Sequence, residues 1–217
     1  MFNAFTTVTD LSAFARAGIK KVRVAAASRD LITGAFSGEI EFFRTVADNA
    51  PNAFEGDIFL PSLEFSDKTV DACIEHVLGK RVRFMVRAAC TLEEVGRFDA
   101  KLSLSPVMLL RRLGLLQNAI VVGGVYLDND DVDLMVQEGA SLVLTPTFNA
   151  GRGDGAANVS SYLKRGLKIA LGTADNSFNK SGSIAYEADV LQLLTNAAMN
   201  DPAALTPAQK LALCSLS

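Results

Sequence analysis

Arg87, Cys90, Asn149, Asp154, Asp175 and Asn176, with Glu64 further upstream, are the residues whose types and placing could do chemistry. Glu64, Arg87, Asn149 and Asp175 fall at or just after the end of a short apolar run. A guanidinium is always protonated and has no acceptor, so Arg87 cannot hold a metal ion. It either pairs with an acid of the chain, for which Glu64, Asp154 and Asp175 are available, or grips an anionic ligand. Asp175 is a candidate general base, and Asn149 and Asn176 carry amides that could orient a ligand. Cys90 has two readings, a thiol biased toward thiolate by Arg87 or a small buried apolar side chain. The stretch Asn149-Ala150-Gly151-Arg152-Gly153-Asp154-Gly155 reads as a glycine-rich loop able to approach a ligand closely, and it lacks the Gly-Lys-Ser/Thr of a phosphate loop. His76 is the single histidine of the chain. It sits between Ile74 and Val77 in a stretch of helical spacing, which is a packing position. Neutral imidazoles are what a hydrolytic first-row metal centre leans on, so this composition argues against a metal site.

Something must position these residues. At 217 residues and 49% hydrophobic, the chain can bury one substantial core, and a single domain over 1–217 is expected. Basic and acidic residues number 21 and 24 and are intermixed, which argues against nucleic acid as a partner. The three cysteines have no metal-type spacing and fit a reducing compartment, so a cytoplasmic protein is expected. No run of about 18 apolar residues predicts a membrane span.

Seven runs read as strands: 5–9, 21–27, 57–63, 82–89, 119–125, 141–146 and 168–173. They are nearly continuous in Val, Ile and Leu, the pattern of parallel strands covered by helices. Between them, Ser66 predicts the start and Gly79 the end of a helix with Val70, Cys73, Ile74 and Val77 on one face. Asp128 and Gly139 bracket another, with Val132, Met135 and Val136 as its apolar stripe. No Gly-x-Gly-x-x-Gly follows the first strand, so the regular βα repetition predicts a (β/α) barrel of about seven strands and no bound dinucleotide or other cofactor.

From about Ala4 to Ser215 the chain resembles the amidohydrolase superfamily, in particular its cytosine deaminase and chlorohydrolase-like branch. The resemblance rests on Gly114-Leu115-Leu116, Leu127-Asp128-Asn129, Pro146-Thr147-Phe148-Asn149 and Gly172-Thr173-Ala174. It implies a metal-assisted hydrolase or deaminase whose metal ligands would stand at strand ends. Here the His-x-Ala-Glu-Thr of that branch becomes Arg87-Ala88-Ala89-Cys90-Thr91, a further histidine becomes Gly123, and the aspartate of Gly-Thr-Asp becomes Ala174 with Asp175 beside it. The strand carrying the branch's His-x-His pair has no counterpart, and neither does a flanking β-sandwich. Two readings follow. One is a metal-free barrel that binds a small polar or anionic molecule or serves as an assembly subunit. The other is a divergent hydrolase of C–N bonds in a nitrogen heterocycle, with Asp175 as base. A missing strand would leave runs 5–9 and 168–173 beside an opening, and an uncovered parallel edge is sticky, so a twofold homodimer is expected.

Overall fold

The near-continuous apolar runs become strands, and the strands close. In the computed structural model, which describes residues 3–49 and 54–215, a parallel barrel is formed in chain order by β1 (Asn3–Thr6), β2 (Lys21–Ala26), β3 (Glu39–Thr45), β4 (Ile58–Leu60), β5 (Phe84–Ala88), β6 (Ile120–Gly123), β7 (Ser141–Leu144) and β8 (Lys168–Ala174). The barrel has eight strands, not about seven. The additional one is β3, whose stretch Glu39-Ile40-Glu41-Phe42-Phe43-Arg44 alternates charge with apolar residues and so lacks the continuous run used to find the others.

Closure is made between the two strands expected to flank an opening. Phe5 pairs with Gly172 and Thr6 with Ala174, with a register shift between the two pairs. The Thr6 hydroxyl and the Thr7 amide both donate to the carbonyl of Ala174, each at 2.8 Å. The strands come so close that a Cβ on Gly172 would lie 2.6 Å from the Phe5 carbonyl oxygen. No edge is left to be covered between β1 and β8. The physical ground for expecting a second copy there is therefore gone.

Around the barrel lie α1 (Ser12–Arg16), α2 (Asp67–Lys80), α3 (Leu92–Leu102), α4 (Pro106–Arg112), α5 (Asn129–Gln137), α6 (Pro146–Arg152), α7 (Val159–Lys164), α8 (Ile184–Met199) and α9 (Pro207–Ser215). Between β2 and β3 there is only a 3₁₀ turn at Arg29–Leu31. Asp128 caps α5 as its position predicts, accepting the Asp131 amide. Gly79 does not end α2, since the helix runs on to Lys80 and is closed by Arg81, which takes the left-handed conformation at φ +53°. Nor is Asn149–Arg152 an open loop. Pro146 starts α6 at its first turn and Gly153, at φ +74°, closes it, the sequence asymmetry that favours a helix. Among the described residues no helix is long and apolar enough to cross a membrane.

Two apolar layers follow from strand alternation. Val22, Val24, Ile58, Leu60, Val86, Val121, Leu142, Ile169 and Leu171 face the helices. Phe5, Ala25, Phe43, Phe59, Met85, Ile120, Val122, Val143 and Ala170 fill the barrel interior, where the rings of Phe5 and Phe59 meet edge to face at 5.8 Å. Below this fill, at the amino-terminal end, inward positions are charged. Glu41 receives Lys21 at 2.8 Å, Arg23 at 2.7 Å and Arg83 at 2.6 Å, and Arg83 also reaches Asp57. Burial raises the Glu41 pKa, but the hydrogen bonds from Lys21, Arg23 and Arg83 outweigh it and hold the carboxyl at about 2, below its usual 4.5.

This predicts an acid-sensitive plug. A carboxyl depressed in the folded state contributes stability above pH 4.5 that is lost as pH falls toward about 2. Glu41→Gln should cost about 2–3 kcal/mol at pH 7, somewhat under the usual loss on breaking a buried ion pair because the rim is partly hydrated. In urea unfolding, the gap between variant and parent should shrink steadily between pH 4.5 and pH 2.5. A gap independent of pH would contradict the role given to Glu41.

Candidate functional site

Alternation along β5 decides where Arg87 points. Met85 belongs to the interior fill and Phe84, Val86 and Ala88 to the outer layer, so Arg87 faces inward, one step above Met85 and in register with the interior Val122. It is half-buried at the carboxyl-terminal mouth. None of the acids considered as its partner reaches it. Glu64 instead makes a two-pronged pair with Arg97 of α3 at 2.7 Å for each bond. Asp154 takes Arg152 at 3.6 Å, and an oxygen of Asp175 accepts the Ser177 amide at 2.9 Å. Glu64 thus belongs to a groove of about 550 Å³ between α2, α3 and α4, with walls such as Phe65, Phe98 and Leu109.

The seam between β5 and β6 is tightly built. Thr91 caps α3 by accepting the Glu94 amide at 3.1 Å, and the buried Glu94 carboxylate reaches back to the amides of Ala89 and Cys90 at 3.2 and 2.9 Å. This reciprocal cap could be read from Thr91-x-x-Glu94 in the sequence. It holds Ala89 at φ +53° and turns Cys90 onto the end of β6. A Cβ on Gly123, itself at φ +104°, would fall 2.1 Å from the Cys90 sulfur. Burial is the main reason the Cys90 thiol is pushed up to about 12, reinforced by Glu94 and Asp154 and only partly opposed by Arg87. The structure therefore gives Cys90 the buried, protonated state of a packing side chain.

On the opposite rim, the Thr145 hydroxyl donates to Asn149 at 2.9 Å and the Asn149 amide to Asp154 at 3.3 Å, all three buried. Asp175, beyond the end of β8, is exposed. Asn176 follows at φ +61°, and its side-chain oxygen is buried without a hydrogen-bond partner among the described residues. Glu187, at 0% exposure, fastens the loops after β7 and β8 by accepting the Thr147 amide and hydroxyl and the Asn179 amide. Burial raises its pKa although all three bonds lower it. Nothing in the sequence reading pointed to Glu187, because a single acid in an apolar helix carries no spacing signal. His76 lies in the outer layer, where its Nε2 meets the Gly56 carbonyl at 2.8 Å and its ring packs on Phe54.

A metal of the kind the family resemblance implies does not fit these residues. Among the described residues, no three of His, Cys, Asp and Glu gather where they could hold an ion. The strand ends carry a guanidinium, a high-pKa thiol and a glycine whose side-chain space that thiol fills.

Comparison with known proteins adds the chemistry of relatives. No protein-family profile matches the chain. It is 28% identical over 138 residues to a 5-methylthioadenosine/S-adenosylhomocysteine deaminase of Caldicellulosiruptor saccharolyticus, a match spanning 63% of this chain and 31% of that protein. A deaminase of the same name from Syntrophobacter fumaroxidans is 30% identical over 141 residues, covering 64% and 32%. The chain thus spans about a third of the length of the curated relatives it matches. In fold it is similar to a guanine deaminase of C. acetobutylicum with guanine bound, at a TM-score of 0.75 and 14% identity over 94% of this chain and 58% of that one. An adenosine deaminase of Xanthomonas campestris with bound zinc gives a TM-score of 0.72 and 17% identity, covering 94% and 53%.

The contact between Cys90 and Gly123 predicts a coupled pair. Gly123→Ala should cost about 2–4 kcal/mol, from its positive φ and from overpacking. Cys90→Ala relieves only the overpacking, so a double-mutant cycle by thermal unfolding should show about 1 kcal/mol or more of favourable coupling. Strict additivity would mean that the thiol does not occupy that space.

Proposed function

We propose that this chain, which resembles these deaminases over about 140 residues, is a divergent hydrolase of C–N bonds in a nitrogen heterocycle. The observation that carries this is the 28% identity over 138 residues with a deaminase of an adenosine derivative. At the mouth, two unpaired groups support it. Arg87 is an inward cation with no ion pair or hydrogen bond among the described residues, complementary to an anionic group of a substrate. Asn176 carries an oxygen acceptor that no described residue meets. Asp175 beside it has one oxygen engaged by Ser177 and the other available to take a proton from water. Water would add at the carbon bearing the exocyclic amine, the C–N bond would break, and the amine would leave with a proton as ammonia, leaving a ring carbonyl. In this reading the chain's own residues bind and orient the ring and accept the proton.

A second reading is favoured by the donor set: binding of a small polar or anionic heterocycle without turnover. The two readings part on one measurement. In a screen of aminated purines, pyrimidines and triazines with ammonia release as readout, Asp175→Asn should reduce turnover about 100-fold or more, the usual scale for a lost general base. Arg87→Ala should raise KM for anionic substrates alone. Thermal stabilisation by a heterocycle with no ammonia released would select the binder. Ammonia release unchanged in Asp175→Asn would remove that residue from the chemistry.

A further inference from the structure

The loops after β7 and β8 bring two phenylalanines and an arginine together on the same rim, and none of the three has a part in the chemistry above. Phe148 on α6 and Phe178 after β8 meet edge to face, with centroids 6.4 Å apart and planes at 69°. The Arg152 guanidinium lies 5.4 Å from the Phe148 ring centre, and its side chain is 53% exposed. Phe178 is 48% exposed. Its seat depends on Gly151, where a Cβ would come within 2.4 Å of the ring. Arg152 is steadied by Asp154, which accepts from Asn149 beside Thr145 at the end of β7, so the cluster is tied to that strand end. Two residues before Phe178 stands Asn176 with its unpartnered oxygen.

We propose that Phe178, braced edge to face by Phe148 and by the Arg152 that lies over Phe148, forms a stacking shelf for the face of a planar nitrogen heterocycle. The proposal rests on the reading that a heterocycle binds at this mouth, and it names the residues that select for the ring itself. An aromatic ring left half in water on a polar rim gains from a flat partner, and a neighbour ring packed edge to face with a guanidinium over it holds that ring in place. Arg87 recognises charge, whereas the shelf recognises a π-face. The two should separate experimentally.

The test titrates the full chain with three probes: AMP, which has ring and anion, adenine, which has the ring alone, and ribose 5-phosphate, which has the anion alone. Binding is followed by calorimetry. Phe178→Leu keeps apolar volume but removes the π-face, and it should weaken AMP and adenine about tenfold, the scale of one lost base–aromatic stack. It should leave ribose 5-phosphate and the melting temperature of the free protein unchanged, and Phe178→Tyr should restore ring binding. Arg87→Ala should show the converse, losing ribose 5-phosphate and retaining adenine. Adenine bound as tightly by Phe178→Leu as by the parent, or all three probes weakened alike together with a lower melting temperature, would overturn the shelf while leaving the ligand reading intact. Failure of the parent protein to bind AMP or adenine up to millimolar concentration would overturn both.

Discussion

Closure of β8 onto β1 is the contact on which the rest depends. Parallel strands cannot hide an edge, and an apolar edge without partners for its N–H and C=O groups is costly. Gly172 lets the two backbones approach where a Cβ would strike Phe5, and the Ala174 carbonyl then accepts from both Thr6 and Thr7. Once the ring is closed, inside and outside are defined for every strand. Arg87 is inward only because Met85 is, and Met85 is inward because the sheet curves back on itself.

A closed barrel of this size has little room, and its contents restrict what the mouth can do. Four large side chains, Phe5, Phe43, Phe59 and Met85, occupy the interior, and the charged plug around Glu41 seals the floor. A ligand therefore cannot enter between the strands. A ligand of the kind proposed would rest on the upper surface, where Arg87 faces inward and the loops after β7 and β8 would supply the walls. Those loops are held by buried polar contacts, Glu187 to Thr147 and Asn179 on one side and Asn149 to Asp154 on the other. The rim is thus fixed from beneath, and its outer residues stay free to meet a ligand.

The order of strands and most of their positions were readable because continuous Val, Ile and Leu runs have few other uses in a chain of this length. The strand β3 was not, since its inward positions serve the ionic plug and its pattern imitates a half-exposed strand. Site residues were readable only in part. Arg87 declares itself as a charge at the end of an apolar run, and Asp175 and Asn176 do so similarly. Glu64 has the same local signature, yet it serves α3, because Arg97 is a bidentate partner that no spacing along the chain reveals. Phe148 and Phe178 gave no signal, as two aromatics thirty residues apart meet only through the adjacency of β7 and β8.

The strand ends where the resemblance implies metal ligands are not independent substitutions. Glu94 draws the amides of Ala89 and Cys90 inward, which forces Ala89 to positive φ and delivers the thiol into the only space a side chain on Gly123 could use. Gly123 is in turn the residue that tolerates both that contact and its own φ of +104°. A side chain restored at Gly123 alone would meet the Cys90 sulfur as an obstacle. The seam therefore behaves as one packed unit, closed on the side of β5 and β6. Apart from Arg87 on β5, the unpaired Asn176 oxygen and the exposed Phe178 lie on the side of β8.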